Sequence, residues 1–380
     1  MTGENLGSFR TFIIGGGKTN MQLLVTGGLG FIGSNLVRYL LKTHPDCTVI
    51  NLDAVTYAGH PENVADISNN PRYRFVAGRI QDAELVDDIL SGRRYGRIDG
   101  VLNLAAESHV DRSISNPAVF VETNVLGTQV LLEAAARHGK ARAKAEGNPS
   151  GYSIRFVQVS TDEVYGSLGP TGLFTEHTPL APNSPYSASK AAADMLCRAY
   201  FHTFNFPALI TRCSNNYGPY QHPEKLIPLF ITNLMNHKQV PVYGDGLNVR
   251  DWLHVEDHCR GIDLVFRKGR DGEIYNIGGN NERTNMQITK LIIKELGKDE
   301  SYIKYVEDRL GHDRRYAIDS SKIQIELGWT PLHTFESGIR ETIAWYKNNQ
   351  HWLGAVTKLS AQPFVPVAPG VASFSPSPIG

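Results

Sequence analysis

A glycine spacing restricts the fold of this chain more than any other feature. The apolar run Met21-Gln22-Leu23-Leu24-Val25-Thr26 leads directly into Gly27-Gly28-Leu29-Gly30-Phe31-Ile32-Gly33. After a buried strand, glycines at 27, 30 and 33 permit a tight turn, let backbone approach a phosphate, and allow the next helix to pack closely. The N-terminus of that helix then faces the anion, which its unpaired N–H groups and dipole favour. Glycine-rich turns are common, so the spacing needs its context. Asp53 supplies it, following a second apolar run roughly 20 residues on, where a carboxylate would accept from a ribose hydroxyl and repel a 2′-phosphate. The residues read as a dinucleotide loop preferring NAD to NADP, with a plain glycine turn and a solvated Asp as the alternative.

Short apolar segments alternate with amphipathic ones through the first half of the chain, the pattern of βαβ units in an α/β, Rossmann-type doubly wound parallel sheet. Strands are expected at 22–26, 48–52, 73–77, 100–104, 154–160 and 208–212. Helices at 118–138 and 187–204 carry apolar residues at helical spacing, and either could pack against a copy of itself, making a homodimer the expected assembly. From about Pro219 the alternation yields to Pro and Gly punctuation around Pro241-Val242-Tyr243-Gly244 and Gly278-Gly279. Residues 219–353 are therefore expected to form a smaller mixed α/β lobe that binds substrate, partly interleaved with an NAD-binding domain at 21–218. That lobe would cover the carboxyl ends of the strands, where ligands of open α/β sheets bind. Residues 1–20 read as an N-terminal extension and 139–153 as a polar surface insertion. The segment 354–380, rich in Pro, Ala and Ser, reads as a disordered tail.

Lys plus Arg equals Asp plus Glu at 38 each, so no global field favours nucleic acid or an anionic membrane, and phosphate binding must come from local geometry. Cys47, Cys197, Cys213 and Cys259 lack the spacing of a metal or redox motif, and no metal site is expected. With no apolar run near the roughly 20 residues of a membrane span and no signal-peptide core, the expected location is the cytoplasm.

Two motifs carry chemistry. Thr161-Asp162-Glu163 follows Phe156-Val157-Gln158-Val159-Ser160, so it emerges at a strand's carboxyl end, where substrate would sit. Once an alcohol beside it becomes a ketone, one carboxylate can remove the acidified neighbouring proton while a second, protonated carboxyl assists hydroxide departure. Ordinary capping of the next turn explains the same triplet. Tyr186 and Lys190 lie four residues apart on a starting helix and share a face, so the ammonium can stabilise a phenolate and hold a ribose. An amphipathic helix pair is the plainer reading. Leu104-Ala105-Ala106 would be a small-residue wall against the cofactor, or ordinary core.

With these motifs the chain resembles the nucleotide-sugar 4,6-dehydratases of the extended short-chain dehydrogenase/reductase family, over residues 21 to about 352. The segments that carry the likeness are 26–33, 105–113, 160–166, 184–190, 213–220, 250–252, 275–279 and 311–316. The resemblance implies a redox-neutral dehydration, with dTDP-glucose the expected substrate and UDP-glucose an alternative. Tyr186 would take the 4-hydroxyl proton, Thr161 orient that hydroxyl, Glu163 remove the C5 proton and Asp162 protonate the departing 6-hydroxyl. It assigns Gly27, Gly30, Phe31, Ile32 and Gly33 to the pyrophosphate, and Asp53, Ala54, Val55 and Thr56 to the adenosine ribose. Leu104, Ala105, Ala106, Glu107, Ser108, Thr123, Tyr186, Lys190 and Asn216 would line the cofactor channel. For the nucleotide sugar it points to Ser108, Thr161, Asn215, Lys225, Leu226, Pro241, Val242, Tyr243, Arg250, Asn285, Asp308, Arg309, Leu310, Gly311 and His312. Arg250 and the basic residues around Arg314 suit a pyrophosphate, although Arg250 and Asp251 could equally form an internal ion pair. One departure stands out: Arg79 occupies a position where many members carry an Asp that accepts from adenine. An arginine cannot accept, so a backbone contact through Ile80 is expected instead. A 4-epimerase and a non-catalytic nucleotide sensor are the competing readings on this fold; the first has no use for Asp162, the second none for Tyr186, Lys190 and both carboxyls together.

Overall fold

A computed structural model describes residues 20–308 and 313–360. Its strands are β1 (Met21–Thr26), β2 (Cys47–Asp53), β3 (Tyr73–Ala77), β4 (Gly100–Asn103), β5 (Arg155–Thr161), β6 (Ala208–Cys213), β7 (Asn215–Tyr217), β8 (Val240–Tyr243), β9 (Val249–His254), β10 (Ile274–Ile277), β11 (Glu282–Thr284) and β12 (Ile303–Val306). The α-helices are α1 (Phe31–Thr43), α2 (Ala83–Ser91), α3 (Val110–Ser115), α4 (Pro117–Phe120), α5 (Thr128–Ala145), α6 (Pro185–Phe204), α7 (Leu226–Met235), α8 (Val255–Lys268), α9 (Asn285–Glu295), α10 (Ser321–Leu327), α11 (Phe335–Asn348) and α12 (Gln350–Ser360). A π-helical turn, Val121–Gly127, joins α4 to α5.

Every residue of β4, β5 and β6 is buried. Strands closed off on both faces need helices on both sides, which is the environment of parallel sheets. The large sheet runs β10-β6-β5-β4-β1-β2-β3, with each neighbouring pair parallel. The six expected strands appear within one residue of their expected ends. On one face α1 (Leu36, Val37, Leu40) packs with α8 (Val265, Phe266). On the other, α2 and α5 contribute Val86, Ile89, Leu131 and Ala135, and α6 contributes Cys197. The chain order reverses between β1 and β4, which opens a crevice at their carboxyl ends.

The smaller lobe holds its own core of Ile231, Ile288, Ile292, Ile339 and Tyr346 beneath the three-stranded β11-β9-β7 and two-stranded β12-β8 sheets. Position 219 does not divide the chain cleanly. α8 and β10 return to the large sheet, where β10 pairs with β6 and covers an edge that would otherwise expose its hydrogen-bonding groups.

Two segments differ from expectation. The polar stretch expected as an insertion at 139–153 begins as helix, because α5 runs to Ala145 with Gly139 and Ala143 buried and the Arg142 guanidinium donating to the Ile98 carbonyl at 2.6 Å. The tail expected from 354 is helical as far as Ser360, since Trp352, Leu353 and Val356 form an apolar stripe that buries itself. Residues 1–19 and 361–380 lie outside the described residues. Among the described residues no helix is long and apolar enough to cross a membrane.

Candidate active site

At the end of β1, Gly27 adopts φ +70°, and a Cβ there would sit 2.8 Å from the Ala105 backbone nitrogen. At Gly33 a Cβ would lie 2.1 Å from the Gly27 carbonyl oxygen, so α1 can press its backbone onto the turn only as glycine. Gly30 is the N-cap of α1 with no side-chain cap and no acidic residue in the first turn. The first N–H groups of α1 are therefore available to an anion.

A cavity of about 750 Å³ runs along the strand ends. It gathers most of the expected site residues: Gly27, Gly30, Phe31, Ile32, Gly33, Asp53, Ala54, Thr56, Arg79, Ile80, Leu104, Ala105, Ala106, Glu107, Ser108, Thr123, Thr161, Asp162, Glu163, Tyr186, Lys190, Asn215, Asn216 and Lys225. Asp53 accepts from the Leu29 N–H at 2.9 Å and the Val55 N–H at 2.8 Å, which bends the loop back over the cleft. Val55 itself, at φ +52°, turns away from the lining. Arg79 is exposed at the cavity edge, and Ile80 lines the cavity with its side chain packed against Gly127.

The wall at 105–108 is held from behind by Asn124, in the π-helical turn. Its Oδ1 accepts from the Glu107 N–H (2.9 Å), and its Nδ2 donates to the Glu107 carbonyl (3.0 Å) and to Ser189 Oγ on α6 (2.8 Å). The irregular turn thus aims a side chain that a regular helix would not, a common use of π geometry at functional sites.

At the end of β5 the Thr161 hydroxyl accepts from the Glu163 N–H and donates to Asp162 Oδ1, both at 3.3 Å. Capping and display in the cavity therefore coexist. Asp162 is only 2 % exposed, and its Oδ2 has no partner among the described residues. Burial first, then the charges of Glu163 and Asp251, push its carboxyl well above the usual range, which favours the neutral, protonated acid. Helix α6 opens on a capping box between Ser184 and Ser187 with Pro185 in its first turn, which sets Tyr186 and Lys190 side by side on the cavity wall. The expected depression of the Tyr186 phenol is not found. Burial, Glu163, Cys213 and Asp162 push it well above its ordinary value, opposed by the Thr161 hydroxyl. Lys190, whose pKa burial lowers, donates to the Val159 carbonyl at 2.7 Å.

The expected nucleotide residues Leu226, Pro241, Val242, Tyr243, Arg250, Asn285 and Asp308 do not line this cavity. They belong to the adjoining face of the smaller lobe: Val242 is in its core, the Asn285 N–H donates to the Asn248 carbonyl at 3.0 Å, and Asp308 sits beside Gly244. Arg250 donates to the Val249 and Asp313 carbonyls and lies 4.3 Å over the Tyr316 ring. Asp251 instead accepts from the Gly279 and Asn281 N–H groups, so the two do not form the internal pair. Arg314, expected near a pyrophosphate, is exposed and pairs in bidentate fashion with Asp245. Arg309, Leu310, Gly311 and His312 lie outside the described residues. The cavity also takes in Tyr57, His60, Asn63, His222 and Trp352, which no local sequence pattern marked, and Tyr220. Their positions depend on contacts between segments far apart in the chain.

Residues 24–342 match the family model described as GDP-mannose 4,6 dehydratase. The chain belongs to this family of nucleotide-sugar 4,6-dehydratases. Among curated relatives, a dTDP-glucose 4,6-dehydratase of Xanthomonas campestris pv. campestris (strain B100) is 54% identical over 342 residues, covering 88% of this chain and 95% of the relative. A crystal structure of dTDP-glucose 4,6-dehydratase from Bacillus anthracis in complex with NAD is 52% identical with a TM-score of 0.79, covering 88% of this chain and 99% of that one. Another, from Streptomyces venezuelae with NAD bound, is 51% identical with a TM-score of 0.81, covering 88% and 100%. The cradle in this dehydratase fits such a cofactor on its own geometry: a Cβ would fill the turn at Gly27 and Gly33, and the α1 N-terminus is uncapped.

The buried acid makes a stability prediction for this dehydratase. Its folded pKa is raised, so the native state binds the proton more tightly than the unfolded chain. Stability from Asp162 is then full below the unfolded carboxyl pKa of about 3.9 and falls, by up to about 1.4 kcal/mol per pH unit, as pH rises toward the folded value. Asp162→Asn removes that loss. Urea denaturation is expected to show the variant gaining on the parent as pH rises above the unfolded carboxyl pKa of about 3.9; a difference independent of pH would contradict the raised carboxyl.

Proposed function

We propose that this chain is a dTDP-glucose 4,6-dehydratase, a hydro-lyase that uses NAD without net consumption and releases dTDP-4-keto-6-deoxyglucose and water. Asp162 carries the reading: a carboxyl whose pKa burial raises, beside a second carboxyl and a tyrosine, in a cleft suited to a dinucleotide. Gly27, Gly30, Gly33 and the N-terminus of α1 would hold NAD, which when bound would supply a hydride acceptor for C4 and the hydride returned to C6. Tyr186 takes the 4-hydroxyl proton, and Thr161 orients that hydroxyl. Burial and the two carboxyls oppose the phenolate, so the ammonium of Lys190, one turn along α6, has to offset them. Glu163 then removes the C5 proton, acidified by the C4 ketone. Asp162 gives its proton to the 6-hydroxyl, which leaves as water, and the C5 position regains a proton after hydride reaches C6.

Ser108, Asn215 and Lys225 on the cavity wall are assigned to the nucleotide sugar, and Leu226, Pro241 to Tyr243, Arg250, Asn285 and Asp308 to its nucleotide end. The names of the 54% identical relative and of the two solved enzymes support dTDP over UDP. One methyl separates thymine from uracil, worth about 1 kcal/mol in an apolar pocket. Free, buried thiols at all four cysteines fit the cytoplasm. Ile114, Val121, Leu126 and Met195 are exposed on α3, the π-helical turn and α6, which pack on one another, and we assign this apolar face to a homodimer. Sedimentation should give a dimer that Leu126→Glu with Met195→Glu converts to monomer; a monomeric parent would contradict the assembly.

Incubation with dTDP-glucose tests the activity, the 4-keto-6-deoxy product being read by its absorbance in alkali. Turnover on UDP-glucose should be several-fold poorer. Asp162→Asn is expected to lower product formation on the order of 100-fold while C4 oxidation continues, so reduced nicotinamide accumulates in the burst. A galactose nucleotide as product would show an epimerase, and an Asp162→Asn enzyme of full activity would remove the acid from the scheme.

A further inference from the structure

The reaction proposed above requires the same cofactor to give back what it took, so cofactor release must be slow beside turnover. The glycine loop by itself offers only a turn and a helix end. Its central peptide, Leu29, is nevertheless gripped on both sides. The Leu29 N–H donates to Asp53 Oδ2 at 2.9 Å, and the Leu29 carbonyl accepts from Asn63 Nδ2 at 2.7 Å and from the His60 N–H at 3.1 Å. Asn63 lies in the 3-10 turn Pro61–Val64, which ends the loop that leaves β2 and passes over the cleft. That loop is in turn held from the far end of the chain. The indole N–H of Trp352 on α12 donates to Asn63 Oδ1 at 2.8 Å, across 289 residues of sequence.

The contact is dry and braced. Asn63, Leu29 and Trp352 are buried, and Val356, one turn along α12, is fully buried. Trp352 and Val356 both face the cavity. Trp352 packs edge-on to Tyr220 and Trp345, with centroids at 5.7 and 5.0 Å. Tyr220 carries the Arg38 guanidinium 3.9 Å over its ring, and the same guanidinium donates to the Asn63 carbonyl. Asn63 therefore spends its amide at both ends, one on the glycine loop and one on α12, with neither able to relax into water. Breaking either bond would strand a buried amide atom of Asn63, which is costly, so loop and helix stay joined.

We propose that α12 is a cofactor latch: Trp352, acting through Asn63, clamps the Leu29 peptide of the glycine loop, and NAD leaves only when α12 lifts. Trp352 and Asn63 are positioning residues, acting on retention of the cofactor rather than on its chemistry. The inference rests on the function proposed above, in that it takes NAD as the occupant of the cleft.

Trp352→Phe keeps the ring packing and removes the indole N–H, and Asn63→Asp keeps the acceptor for Trp352 while removing the donor to Leu29. The test measures NAD retained by the purified full-length protein after desalting, its dissociation rate, and dTDP-glucose turnover with and without added NAD. Each variant is expected to release NAD about tenfold faster and to become dependent on added NAD, with kcat at saturating NAD within about twofold of the parent. The double variant should be no worse than the poorer single one, because both break one chain of contacts. Unchanged release in both variants, or a lowered kcat at saturating NAD with release unchanged, overturns the latch while leaving the function standing. A parent protein that binds no NAD overturns both.

Discussion

Every strand of the large sheet runs in the same direction, and the carboxyl ends of β1, β4, β5 and β6 consequently open on one crevice. The glycine turn, the 105–108 wall, the Thr161-Asp162-Glu163 triplet and the β6–β7 asparagines each follow directly from one of those ends. No single residue places the site. Its geometry is inherited from strand direction, and the interior of the sheet keeps the ends in register because β4, β5 and β6 are buried throughout. Buried polar bonds tie the strands beneath the cleft: Thr26 Oγ1 to Asn103 Oδ1 at 2.6 Å, and Asn103 Nδ2 to Gln158 Oε1 at 2.8 Å. They span β1, β4 and β5 at one level, and a slip of any one of these strands would break at least one of them.

Desolvation is the second determinant. Asp162 and Tyr186 are both removed from water, and both are pushed toward their neutral forms. For Asp162 this favours the form that the proposed acid needs, a carboxyl that holds its proton more tightly than usual. For Tyr186, the proposed base, it is an obstacle, since the phenol has to be ionised before it can take a proton from a sugar hydroxyl. The same environment thus helps one half of the cycle and hinders the other, and the balance rests on positive charge brought close to the phenol. That division also orders the steps: elimination at C5 and C6 waits on oxidation at C4, because the C5 proton is acidic only beside a ketone.

Much of this was legible in the residues. Strand runs were readable because parallel strands bury both faces and therefore consist of continuous apolar segments, and Tyr186 with Lys190 because four residues make one helical turn. Thr161, Asp162 and Glu163 could be placed at a strand end by simple counting. Other parts had no local signature. β10 joins the sheet from beyond the apparent domain boundary, and the bond from Trp352 to Asn63 crosses most of the chain. Asn124 acts through a π-helical turn that side-chain periodicity does not encode. Charge without orientation misled in one case: Arg314 looks like a phosphate ligand in sequence and is paired with Asp245 in space.

Internal return of the hydride is the claim on which the rest depends, and an isotope follows it directly. dTDP-glucose carrying deuterium at C4 is converted in ordinary water, and the product's C6 methyl is examined by mass spectrometry and NMR. The label is expected on that methyl group, within the molecule that carried it. Deuterium lost to solvent, or retained at C4, would contradict the account.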